Sequence, residues 1–280
     1  MPDLAIIGAG ELGGAIAHAA ARRHAAGSIR LVDETGRVAE GKALDIAQAA
    51  PVEGFAATLS GSTDLSSAAG ASIVVLADRA GGGDFQGEEG LALLRRAAGL
   101  NPRALLICAG ALQRDLIARG VAELHLARER LFGTAPEAMR AAARALVALE
   151  LDVSPRDVAL SVVGVPPSQL IVGWEEATVN GFALTRLLGE PARRRLSARL
   201  PALWPPGPHA LAHAACKAIE SATGRSRQLA TCFVAPEGAA IHRTKTAALP
   251  VRLGPSGIEA VVLPSLSVAE QVALDNAVML

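Results

Sequence analysis

Residues 4–13 read Leu4-Ala5-Ile6-Ile7-Gly8-Ala9-Gly10-Glu11-Leu12-Gly13, a short apolar run that ends in a G-x-G-x-x-G turn. The run predicts a strand over 4–8, and Glu11 to about Ala26 predicts a helix whose small residues face a sheet. Each glycine then has a physical task. Gly8 permits the tight turn, Gly10 lets a pyrophosphate approach the backbone, and Gly13 lets helix and strand pack closely. The helix start offers free N–H groups and the positive end of a dipole to phosphate. Asp33 lies twenty residues past Gly13, at the end of the predicted second strand 28–33, where a carboxylate can bind ribose hydroxyls. The acidic pair Asp33-Glu34 repels a 2′-phosphate, so NAD (NADH) is favoured and NADP is less favoured. Glu11 and Leu12 within the turn, and Ala77 at the end of another predicted strand, complete the candidate cofactor-binding set.

Outward from this unit, strands and helices alternate. A helix over 37–49 is stopped by Pro51. Strands follow over 55–60 and 72–77, then a helix over 88–98, a strand over 104–108 and a helix over 112–130. Continuous apolar runs such as Ile73-Val74-Val75-Leu76 mark strands buried on both faces, and the alternation predicts a parallel, doubly wound sheet. The pattern then changes. A helix over 136–149 precedes strands 158–163, 170–172 and 176–179, a basic helix 190–200, a helix 209–223, and a meander of strands 229–234, 246–253 and 258–263. Ser267 and Glu270 form a capping-box pattern at the start of a last helix. The expected organisation is α/β: a Rossmann domain over 1–133 followed by an α+β, substrate-type domain over 134–280.

Composition narrows the function classes. The chain has 280 residues, 51% of them hydrophobic, which suits a packed core rather than disorder. Lys and Arg total 27 and Asp and Glu total 27, so no excess charge points to nucleic acid or an anionic membrane. No apolar stretch is long enough to span a bilayer, and no leader pattern stands at the start. Cys108, Cys216 and Cys232 have neither disulfide-framework nor zinc spacing, which suits a reduced, cytoplasmic protein. No metal site is expected.

Further stretches carry a family likeness. Glu40-Gly-Lys-Ala-Leu-Asp-Ile46, Pro51-Val-Glu-Gly-Phe55, Leu151-Asp-Val-Ser-Pro-Arg-Asp-Val158, Leu253-Gly-Pro-Ser-Gly-Ile-Glu259 and Leu266–Asp275 resemble, in order, segments of the lactate/malate dehydrogenase family. The resemblance implies that family's two-part fold, a nicotinamide dinucleotide, a small acid as substrate and a homo-oligomer, dimer or tetramer. It also implies a histidine that exchanges the hydroxyl proton, an aspartate that orients it and arginines that clamp the substrate carboxylate.

Those positions are altered here. The family's "GGHGD" histidine falls on Pro166, and no histidine lies within forty residues of it. The aspartate and arginine of "LDSAR" fall on Met139 and Ala142, and a shifted register would put Glu137 and Arg140 there. The loop arginines fall on Gly82 and Glu88, the "TNP" asparagine on Ala109, and the small polar pocket residue on Leu211. A positioned acid–base group is worth about 10²–10⁴-fold in rate, so losing it together with the clamps should leave little dehydrogenase activity on 2-hydroxy acids.

Weak stand-ins remain. Glu137 and Arg140 keep an acid-x-x-arginine spacing, and His209 could replace the lost base if its helix faces the crevice. His209 and His213 share an i, i+4 spacing without a third ligand. His242 reads as a hairpin-surface residue, Arg193-Arg194-Arg195 as a solvated helix face, and Cys108 as a small buried hydrophobe rather than a reactive thiol. The expected function is therefore an NAD(H)-binding relative without 2-hydroxy-acid dehydrogenase activity. Two alternatives stay open: an active oxidoreductase on another 2-hydroxy or 2-oxo acid, and a structural subunit that binds no nucleotide.

Overall fold

A computed structural model of the chain describes residues 1–237 and 245–279. His242 lies outside the described residues. The first half builds β1 (Asp3–Ile7), α1 (Glu11–Arg22), β2 (Ser28–Val32), α2 (Val38–Glu53), β3 (Thr58–Ser62), β4 (Ile73–Leu76), α3 (Gly87–Leu100), β5 (Leu105–Cys108), α4 (Arg114–Ala122) and β6 (Leu131–Gly133). The second half adds α5 (Ala135–Leu151), β7 (Val158–Val165), β8 (Gln169–Val179), β9 (Phe182–Ala183), the single turn α6 (Leu184–Leu187), α7 (Glu190–Arg199) and α8 (Pro208–Ala222). It closes with β10 (Ala230–Val234), β11 (Ala247–Gly254), β12 (Gly257–Val261) and α9 (Val268–Val278).

The twelve described strands form one sheet in the order β3-β2-β1-β4-β5-β6-β10-β11-β7-β8-β9, with β12 on β11. The first six are parallel, and their order 3-2-1-4-5-6 is the doubly wound one. β10 joins β6 antiparallel through Phe233 and Gly133, and the remaining pairs are antiparallel. The strand order reverses between β1 and β4. The residues following those two strands therefore meet across the crevice where open α/β sheets bind ligands.

The parallel strands are buried because helices cover both faces. Leu4, Ile6, Ile29, Leu31, Val74 and Leu106 are fully enclosed, and Ile16, Ala17 and Ala20 of α1 join the same core. Small residues on α1 let it lie close to the sheet. A Cβ on Gly13 would strike the carbonyl oxygen of Gly8, and Gly8 itself holds φ at +101°. A second apolar cluster joins Met139 and Val147 of α5 to Val162 of β7, Val172 and Trp174 of β8, and Leu196 of α7.

Several expected boundaries move. α2 runs through Pro51 and ends at Glu53, because proline in a last turn sacrifices little and Gly54 supplies the left-handed cap. β3 begins at Thr58 rather than Phe55, whose ring closes the core below α2. The helix expected over 112–130 is only α4. The chain leaves helical geometry after it, with His125 at φ +53°, and β6 forms at Leu131. The strands expected over 170–172 and 176–179 are one strand, β8. Its pairing with β7 shifts register beside Leu160, and the adjacent exposed pair Glu175-Glu176 breaks the in–out alternation of a regular strand. The capping box at Ser267 and Glu270 is present.

Candidate functional site

The crevice is built at the ends of β1, β2, β4 and β5. Past β1, Gly8 N–H donates to Val32 O at 2.7 Å and fixes the turn against β2. α1 then starts at Glu11, so the amides of Leu12 and Gly13 lack intrahelical acceptors and point into the crevice. Both find the same partner. Leu12 N–H donates to Asp78 Oδ2 at 3.1 Å and Gly13 N–H to Asp78 Oδ1 at 2.9 Å. Gly10 N–H donates to Asp78 O at 3.0 Å, and a Cβ on Gly10 would collide with the Asp78 carboxyl group. The Asp78 side chain thus occupies the space beside Gly10 and the first amides of α1. Ala77, the expected neighbour of a ligand, is fully buried and bonds Gln113 through its carbonyl.

Asp33 sits at the end of β2 as expected and is only 5% exposed. Its carboxylate accepts from Ala9 N at 2.8 Å, Ala80 N at 2.8 Å and Thr35 N at 2.9 Å. Burial alone would push this carboxyl up, but the three backbone donors outweigh it and hold it below the usual aspartate value. A carboxylate offers about four acceptor positions, so the protein itself uses most of them. Beside Asp33 opens a cavity of about 360 Å³, lined by Val32, Glu34, Leu65, Phe85, Leu93 and Arg96 among others. The Arg79 guanidinium lies 5.0 Å from the Phe85 ring centre at its edge.

The loop after β4 continues across the crevice. Asp84 accepts from Leu112 N at 2.8 Å, in the turn following β5, and a Cβ on Gly110 would strike its carboxyl group. Burial, with the Asp78 charge adding to it, raises the Asp84 carboxyl. Of the two positions where the family resemblance puts loop arginines, Gly82 packs under Arg79, and Glu88 is paired to Arg119 at 2.7 Å.

The other candidates lie elsewhere. Glu137, in the first turn of α5, is 6% exposed and fully engaged. Arg140 donates to it through Nε at 3.0 Å and Nη2 at 2.6 Å, Lys217 of α8 through Nζ at 2.6 Å, and Thr231 through its backbone N–H at 2.8 Å. Burial would raise the Glu137 carboxyl, but Arg140 and Lys217 outweigh it and hold it low, while burial lowers the Lys217 ammonium. This is a closed ion cluster rather than a free base and a free clamp. The i, i+3 spacing of Glu137 and Arg140 is itself the sequence signature of such an intrahelical pair.

His209 is exposed at the start of α8 and lines a groove with Glu11, His18, Lys42 and Asp45. His213, four residues on, lines a different cavity with Arg23, Glu137 and Lys217. The structure thus joins Glu137 to Arg140 and leaves His209 in a separate groove. Met139, Ala109, Pro166 and Leu211 are buried, and Ala142 is half-buried on α5. Burial pushes the Cys108 and Cys216 thiols up to about 12 and raises Cys232, so none is a thiolate near neutral pH. Among the described residues no group of three His, Cys, Asp or Glu side chains gathers as metal ligands, and no helix is long and apolar enough to cross a membrane.

A 3-2-1-4-5-6 sheet with a glycine turn at its switch point defines a Rossmann-type α/β protein with an antiparallel extension. Comparison narrows the class. The chain is 27% identical over 295 residues to a malate dehydrogenase of Desulforudis audaxviator, covering 98% of this chain and 94% of that one. It is 29% identical over 301 residues to one from Roseobacter denitrificans, covering 99% and 93%. Among solved structures, a Cryptosporidium parvum lactate dehydrogenase complexed with lactic acid and nicotinamide adenine dinucleotide superimposes with a TM-score of 0.88 at 20% identity, covering 99% of this chain and 94% of that one. A malate dehydrogenase from Aeropyrum pernix gives 0.86 at 20% identity, covering 98% and 95%. No protein-family model matches. The chain is homologous to the malate and lactate dehydrogenases and has their fold.

Proposed function

We propose that this homologue of malate and lactate dehydrogenases does not oxidise or reduce 2-hydroxy and 2-oxo acids, and that it keeps a nucleotide crevice at the β1–β4 switch point. The observation that carries this reading is the Glu137–Arg140–Lys217 cluster. The acid and arginine best spaced to act on substrate neutralise each other, and Lys217 completes the pairing. Of the other positions given by the resemblance, Pro166, Met139, Ala142, Ala109, Gly82 and Leu211 carry no group that exchanges a proton or clamps a carboxylate, and Glu88 is paired to Arg119.

Nicotinamide adenine dinucleotide is the nucleotide that homology brings to this crevice. Asp33 and Glu34 favour NAD over NADP. The cavity beside Asp33 supports a place for the adenosine end, and the α1 amides that would face the pyrophosphate are held by Asp78. The three buried free cysteines support a reducing cytoplasmic setting. The homology supports a homo-oligomer, with residues 1–133 as the dinucleotide-type domain and 134–280 as the substrate-type domain.

The test is NADH consumption by the purified protein with oxaloacetate, pyruvate and a wider 2-oxo-acid panel. The expected result is no consumption above buffer. Turnover of any of these acids would overturn the reading and favour a reassigned catalytic set, to be sought through variants of Glu137, Arg140 and His209.

A further inference from the structure

We propose that Asp78 is an internal substitute for the pyrophosphate, and that it decides what the crevice accepts by closing the wild-type protein to phosphate-bearing dinucleotides. The inference rests on the crevice being a nucleotide site, as above, and concerns how that site is controlled.

Four observations converge on it. The two free amides at the start of α1, Leu12 and Gly13, both donate to the Asp78 carboxylate. That carboxylate lies against Gly10, the glycine whose missing side chain makes room for phosphate. The segment is pinned further along, where Asp33 accepts from Ala80 N at 2.8 Å. Asp84 pairs back with Asp78 across a tight hairpin and accepts from Leu112 N, so the base of the 78–84 hairpin is wedged between the β1 turn and the β5 turn.

A helix N-terminus favours an anion, and here the anion is covalently part of the protein. An entering pyrophosphate must displace it from the amides. It must also sit beside its negative charge, with Asp33 and Asp84 close by. Like charges brought together at a binding site cost enough to shift affinity by orders of magnitude. The effective concentration of a tethered carboxylate adds to the disadvantage of the free ligand.

The experiment is calorimetric titration of ADP-ribose and NADH into the wild type, Asp78→Ala and Asp78→Asn, with thermal melts of all three proteins. Asp78→Ala removes both volume and charge. It is expected to bind ADP-ribose on the order of 100-fold tighter than the wild type. It is also expected to melt lower without ligand, because the α1 amides lose their acceptor. Asp78→Asn keeps an acceptor for α1 and removes only the charge. It is expected to gain about tenfold, and it carries the test if the alanine variant fails to fold. Equal affinity of wild type and variants for ADP-ribose, or no gain in either variant, overturns the proposal. NADH that binds Asp78→Ala and is then consumed with pyruvate or oxaloacetate would instead overturn the loss of dehydrogenase chemistry and leave the role of Asp78 standing.

Discussion

The two ends of the crevice are filled in different ways. At the β1–α1 turn the backbone machinery is intact: glycine spacing, free helix amides and an acid at the end of β2. What differs is the occupant, a carboxylate from the loop after β4. Around α5 and the β7–β8 turn the side chains are apolar or paired within the protein. Proline stands at the turn, methionine lies in the core, and the remaining acid and arginine are locked into an ion cluster. On the reading proposed above, one substitution at Asp78 opens the first end to a ligand. On that reading the second end offers no comparable single change, because Glu137, Arg140 and Lys217 neutralise one another.

That contrast can be broken first at Glu137. Glu137→Ala leaves Arg140 and Lys217 without their buried counter-charge and Thr231 N–H without its acceptor. Urea unfolding is expected to report a loss of about 3–5 kcal/mol. A loss below about 1 kcal/mol would mean that the cluster is not structural and would reopen a catalytic role. The pH dependence follows from its lowered carboxyl. The contribution is fully present above the ordinary glutamate value of 4.5 and is lost as pH falls through the lower folded value.

Next in size is Asp33→Ala, which strands the buried amide of Ala9 and the partly buried one of Ala80. A cost of about 1–3 kcal/mol in the same assay is expected. A negligible cost would show that its carboxylate is free for a ligand rather than committed to the loop. At the other end, Arg140→Lys keeps the charge but loses the two-point contact with Glu137, and a loss of about 1 kcal/mol is expected.

The smallest effect is predicted at Asp84. Burial beside Asp78 raises its carboxyl, so the folded protein holds that proton more tightly than the unfolded chain does. Stability attributable to it therefore falls as pH rises through the ordinary value of 3.8 towards the raised one. Asp84→Asn removes that slope and changes stability near neutral pH by only a few tenths of a kcal/mol. Unfolding curves between about pH 4 and pH 7 check the slope.

The same two ends explain what was legible in the sequence. Glycine spacing encodes backbone geometry and β/α alternation encodes a parallel sheet, so the β1–α1 turn, the position of Asp33 and the doubly wound class could be read directly. Filling of a site by a side chain depends on a loop that crosses from another strand, and spacing carries no such information. One signal for Asp78 did exist. It is the first charged residue after the apolar run of β4, and β4 neighbours β1 in this topology, so its side chain emerges beside the glycine turn. The Glu137–Arg140 spacing was visible too, but it suits an intrahelical pair as well as a catalytic one. The deciding partners, Lys217 and Thr231, come from α8 and β10, far away in the chain.

The most direct measurement is a crystal structure of the wild-type protein grown with excess NADH. The account predicts the Asp78 carboxylate still bound to the amides of Leu12 and Gly13, with no pyrophosphate on them. A pyrophosphate on those amides, with Asp78 turned away from α1, would contradict it.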